Sequence, residues 1–128
     1  MRMGELRVGI DLVEIAGLAE SIARFGEAFL QKVFTPAELA TCDGALPRLA
    51  ARFAAKEAAM KVLRPRRDDA LPWRSIEVAA EVGGEAAELV LHAEASSLAA
   101  RERLSSLAVS LTHERHYAAA VVVAQGEA

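Results

Sequence analysis

The chain has 128 residues, a length that suits one compact domain spanning 1–128. Apolar residues make up 53% and aromatics only 5%, so the core must be built mainly from Ala, Val and Leu. Such a core buries little area per residue, and a small domain built on it gains from subunit association. A net charge of −3 argues against a nucleic-acid binder, although Arg48, Arg52, Lys56, Lys61, Arg64, Arg66 and Arg67 cluster in sequence as a candidate basic patch. The single cysteine, Cys42, allows no internal disulfide and suggests no thiolate metal site, in keeping with a reducing cytoplasm. The charged N-terminus does not read as a secretory signal. The longest apolar run, 118–124, is too short to cross a bilayer, so a soluble protein is expected.

Leu6, Val8, Ile10 and Leu12 alternate with Arg7, Gly9 and Asp11, which predicts a strand ending at Asp11. Residues 14–25 carry Ile15, Leu18, Ala19, Ile22 and Phe25 at helical spacing; Gly26 interrupts, and 28–34 continues as a shorter helix. Thr35-Pro36-Ala37-Glu38 is a helix start, with Thr as cap, Pro in the first turn and Glu placed to close a capping box. After a break at Asp43-Gly44, the Ala-rich run 46–63 predicts the longest helix, ended by Pro65. An exposed loop follows. Residues 75–81 and 88–92 read as strands around a Gly83-Gly84 turn, and 93–103 as a helix. Two last strands, 107–111 and 117–124, are separated by Glu114-Arg115 and predict an antiparallel hairpin. Strands and helices without regular βαβ alternation imply an α+β domain, a small antiparallel sheet packed against the long helix and shorter ones.

Three side chains break the pattern. Asp11 lies on the strand face opposite Val8, Ile10 and Leu12, with Gly9 leaving space beside it; it serves either chemistry or the start of the next helix. Glu57 shares a helix face with Ala50, Ala54 and Lys61. It is either a carboxylate looking into a cavity, which needs a partner or a metal, or half of a surface pair with Lys61. His113 closes the row Leu107, Val109, Leu111 and is either a structural hydrogen-bonder or exposed. His92 and His116 have no supporting context. Two carboxylates among several cations would suit a divalent ion holding phosphates, Mg²⁺ above all.

Read as strings, the residues decide more. Val8-Gly9-Ile10-Asp11-Leu12-Val13-Glu14-Ile15, Phe34-Thr35-Pro36-Ala37-Glu38, Arg52-Phe53-Ala54-Ala55-Lys56-Glu57-Ala58 with Lys61, Ile76-Glu77-Val78, and Val109-Ser110-Leu111-Thr112-His113-Glu114 running into Tyr117 follow one another over nearly the whole chain. In this order the chain resembles the holo-acyl-carrier-protein synthases, the short class of 4′-phosphopantetheinyl transferases. The resemblance implies an enzyme that moves phosphopantetheine from coenzyme A to a serine of an apo acyl carrier protein and releases adenosine 3′,5′-bisphosphate. It implies Mg²⁺ held by Asp11 and Glu57, and coenzyme A contacts from Arg52, Lys61 and His113. It further implies a homotrimer with each active site in a cleft between subunits. The serine proton is expected to leave to Glu57 through a cation-held water, or to His113.

Three positions depart from the family pattern. Gly17 stands where an arginine usually helps to dock the acidic carrier, Ala28 where a second basic residue is common, and the 83–88 hairpin lacks the usual proline. These departures point to a specialised carrier of a polyketide or peptide pathway. The alternative is a relative that binds coenzyme A or a carrier and transfers nothing.

Overall fold

The computed structural model describes residues 4–79 and 86–127. Strand β1 covers Leu6–Glu14, followed by helices α1 (Ile15–Phe25), α2 (Glu27–Val33), α3 (Pro36–Cys42) and α4 (Leu46–Leu63). A 3-10 turn at Trp73–Ser75 leads into β2 (Ile76–Ala79); then come β3 (Glu88–Leu91), α5 (Ala93–Arg101), β4 (Leu104–His113) and β5 (Tyr117–Gly126). The strands form two antiparallel sheets, one in the order β1-β5-β4 and one pairing β2 with β3. This is the expected α+β architecture. The predicted Gly83-Gly84 turn and the end of the strand predicted at 75–81 lie outside the described residues.

Local chemistry explains the boundaries. Gly26 has φ 63° and ψ −145°, a conformation that only glycine takes readily, so α1 and α2 separate there. At the start of α3 both halves of the capping box form: Thr35 Oγ1 accepts from Glu38 N, and Glu38 Oε1 accepts from Thr35 N. Pro47 occupies the first turn of α4, where its missing N–H costs nothing. Arg64 turns left-handed at the far end, and Pro65 blocks further helix.

Helix α4 lies across one face of the three-stranded sheet, touching β1, β5 and β4. Ala50, Ala51, Ala54, Ala55, Ala58 and Ala59 are buried on the helix, opposite Ala118, Ala120, Val122 and Ala124 of β5. Methyl groups on both sides let the backbones approach closely. At Gly9 the approach is closest, for a Cβ there would lie 2.2 Å from the Ala58 carbonyl oxygen. The space beside Asp11 is therefore filled by helix backbone and is not an open cavity.

The other sheet face is bare. Val8, Ile10 and Leu12 of β1 are about 65% exposed, and they join Val123 and Tyr117 of β5 in an apolar surface. The alternation in β1 thus turns its apolar residues away from α4, because the inner positions must admit the helix and carry Arg7 and Asp11. Arg7, 9% exposed, ties the far end of α4 to the sheet, donating to Val62 O at 2.9 Å and pairing with Glu102 at 3.0 Å.

Candidate active site

Asp11 sits inside β1, three residues before its end and not at the strand terminus, because β1 runs on to Glu14. Its side chain points toward α4 and is mostly buried. With α4 seated on Gly9, the side chains one residue before and three after Ala58 meet Asp11: these are Glu57 and Lys61. Lys61 Nζ donates to the Ile10 carbonyl at 2.6 Å and lies 3.4 Å from Asp11 Oδ1. Lys61 therefore pairs with the strand, and no Glu57–Lys61 ion pair forms among the described residues.

Glu57 is half-buried. Burial, followed by hydrogen-bonding and repulsive influence from the Asp11 carboxyl, pushes its pKa up to about 7, while Lys61 pulls the other way. Asp11 Oδ2 is buried with no hydrogen-bond partner. A pair of hard oxygens with one left orphaned is the donor chemistry a divalent cation takes. No cluster of three or more acidic, histidine or cysteine ligands exists among the described residues, so water and substrate oxygens would have to complete its shell.

Arg52 and His113 belong to a second place. They line a cavity of about 320 Å³ with Arg48, Thr41 and Thr112. Arg52 is 6% exposed; its Nη1 donates to Arg48 O at 3.4 Å, and its Nε has no partner. His113 is exposed at the end of β4. It shares the inner sheet face with Asp11, but on the far strand, one inward-facing row further along and across two strand spacings of about 4.8 Å each. Within one chain the five expected site residues thus split into Asp11–Glu57–Lys61 and Arg52–His113.

Several expectations need correction. Two members of the basic cluster leave the surface, Lys56 fully buried and Arg52 nearly so, while Arg48, Lys61, Arg64, Arg66 and Arg67 are exposed. Lys56 pairs with Glu38 at 2.7 Å inside the protein. His92 has a partner, with its Nε2 3.0 Å from Glu77 Oε1. The sequence signal for the buried lysine was the helical row Arg52, Lys56, Ala59, Leu63, which lies entirely against the interior. Charge alone had assigned two of its members to solvent.

The family model for the 4′-phosphopantetheinyl transferase superfamily matches residues 7–122, and the chain belongs to that family. Holo-[acyl-carrier-protein] synthase of Koribacter versatilis is 40% identical over 121 residues, covering 92% of this chain and 96% of that one. The synthase of the same description from Moorella thermoacetica is 43% identical over 125 residues, covering 94% of each. An ACPS–CoA complex from Chronobacterium ammoniagenes superimposes with a TM-score of 0.85 at 29% identity, covering 97% of this chain and 99% of that one.

Proposed function

We propose that this chain is a Mg²⁺-dependent holo-acyl-carrier-protein synthase, its 128 residues forming one transferase domain. It would move the 4′-phosphopantetheine arm from coenzyme A onto a carrier serine. The observation that carries this is the facing pair Asp11 and Glu57, set together by the Gly9–Ala58 contact with Asp11 Oδ2 left unpartnered. Relatives near 40% identity bearing the synthase name, and a similar fold solved as an ACPS–CoA complex, support the same conclusion.

Asp11 and Glu57 would hold the cation, which when bound neutralises charge on the coenzyme A diphosphate and polarises the phosphorus under attack. Lys61, still largely exposed beside Asp11, has protons free to meet phosphate oxygens and steady the leaving charge. Arg52, with its unsatisfied Nε, and His113 supply further cationic and hydrogen-bonding groups for the coenzyme. Glu57 takes the serine proton through water, with His113 the other candidate acceptor. The serine oxygen then bonds to the β-phosphorus as the phosphoanhydride breaks, releasing adenosine 3′,5′-bisphosphate. Positioning and electrostatics carry such a transfer, with no covalent enzyme intermediate.

The bare outer sheet face and the splitting of the site residues both favour a homotrimer in which Asp11, Glu57 and Lys61 of one subunit face Arg52 and His113 of another. An exposed apolar surface of this kind marks an interface. No described helix is long and apolar enough to cross a membrane, and a cytoplasmic setting with a soluble carrier fits the activity. Gly17 and exposed Ala28 leave α1 and α2 with few cations, which favours a specialised polyketide- or peptide-pathway carrier.

The test incubates the chain with coenzyme A, Mg²⁺ and a panel of apo carriers and measures carrier mass. A phosphopantetheine gain that disappears with a chelator is expected. No gain on any carrier, with coenzyme A still bound, would replace the enzyme by a binding module.

A further inference from the structure

Lys56 precedes Glu57 on α4 and is wholly buried. Its ammonium lies 2.7 Å from Glu38 Oε1 and donates to the carbonyls of Ile76 and Trp73, so each of its three protons has an acceptor. Glu38, 1% exposed, is equally committed: Oε1 also accepts from Thr35 N, and Oε2 accepts from Val78 N, both at 2.9 Å. One buried ion pair thus joins α4 to α3, to the 3-10 turn and to β2. Such pairs add little net stability, since desolvating both charges offsets most of their attraction. Burial accordingly pulls the Lys56 pKa down, with Glu38 opposing.

What the pair offers is direction. Around Lys56 the buried residues of α4 are Ala54, Ala55, Ala58 and Ala59, with the larger Leu49, Val62 and Leu63 nearer its ends, and a row of methyl groups resists rotation about the helix axis only weakly. A carboxyl about 5–6 Å from that axis moves about 2 Å when the helix turns by about 20°. A site of this kind tolerates about 0.5 Å. Consecutive helix residues lie about 100° apart, so pinning Lys56 toward α3 and β2 sends Glu57 toward β1.

We infer that the buried Lys56–Glu38 pair is a positioning device for Glu57, fixing the rotation of α4 so that this carboxylate is delivered to Asp11. The inference rests on the cation site proposed above, and it adds two residues that touch neither cation nor substrate. Outer partners of this kind typically change metal affinity by about 10–100-fold when lost.

The test is the double variant Lys56→Met with Glu38→Gln, which removes both charges while the glutamine carbonyl still accepts from Thr35 N and Val78 N. Folding is followed by circular dichroism and thermal melting, and Mn²⁺ binding by electron paramagnetic resonance with coenzyme A present. The expected result is a folded protein whose Mn²⁺ dissociation constant rises by about tenfold or more. A shifted melting temperature with unchanged Mn²⁺ affinity would mean the pair is merely structural, and the inference falls. If the double variant does not fold, Glu38→Gln alone is read by the same criterion, with a smaller rise expected. A wild-type chain that binds no Mn²⁺ would instead sink the cation site itself, an outcome distinct from equal binding by wild type and variant.

Discussion

Gly9 of β1 and Ala58 of α4 touch backbone to backbone: a Cβ on residue 9 would fall 2.2 Å from the Ala58 carbonyl oxygen and 3.2 Å from Lys61 Cβ. The obstacle is helix backbone, which cannot swing aside as a flexible side chain would. Gly9→Ala should therefore push α4 off the sheet, at a cost of about 1–3 kcal/mol or more. Because Glu57 and Lys61 ride on the displaced turn, divalent-cation binding should fall with stability. Urea denaturation and a cation titration on the folded fraction check the two effects separately.

Glu57→Gln should abolish cation-dependent transfer while leaving assembly intact. The same variant carries a stability signature in metal-free protein. The Glu57 pKa is about 7 in the fold against 4.5 for an ordinary glutamate, so the folded state binds this proton more tightly than the unfolded state. Wild type consequently loses this contribution as pH rises from about 4.5 through 7, and glutamine does not. The variant should thus melt higher than wild type above pH 7 in chelator, with the advantage vanishing near pH 4. Added Mg²⁺ should narrow the gap by stabilising wild type alone. Melting curves across pH, with and without Mg²⁺, decide this.

Ile10→Lys places a charge at the middle of the bare sheet face, where Ile10 is 65% exposed and pairs with Val121. In an isolated protomer the change would cost little. If the face joins subunits, light scattering should show monomers, and transfer should be lost with the assembly because the two groups of site residues no longer meet. Full activity from a monomer would remove the shared-site arrangement.

Thr35→Val deletes a hydroxyl that accepts from Glu38 N at 3.2 Å and donates to Glu77 Oε2 at 2.5 Å. Loss of the cap should cost about 1–2 kcal/mol by urea denaturation at neutral pH. The hydroxyl is also the chief cause of the lowered Glu77 pKa, with His92 adding to it. A depressed carboxylate contributes stability above its unfolded pKa and loses it as pH falls through the folded one. Part of the penalty should therefore fade in acid.

Local signals in the chain were strong wherever one element decided the outcome. The capping box, the Gly26 break, the stop at Pro65 and the terminal hairpin were all legible, since each depends on neighbouring residues alone. Asp11 and Glu57 stood out as carboxylates in small-residue company. What periodicity could not say was which face of β1 turns inward, because the strand reverses the usual preference to make room for α4. The Lys56–Glu38 pair was hidden for a related reason. Its members are 18 positions apart, and a charge in a helix reads as solvent-facing until its partner is known. Arg52 and His113 were named as site residues together with Asp11 and Glu57, but which of them one chain brings together depends on the strand order and on how α4 lies across the sheet.

The hydrogen bond from Lys61 to the Ile10 carbonyl has a consequence beyond the site. β1 is an outermost strand, so its unpaired peptide groups offer a template on which a foreign strand could add. The ammonium occupies one of those acceptors and sets a charge on the rim. The lysine proposed to meet phosphate thus also discourages the sheet from growing sideways into aggregates.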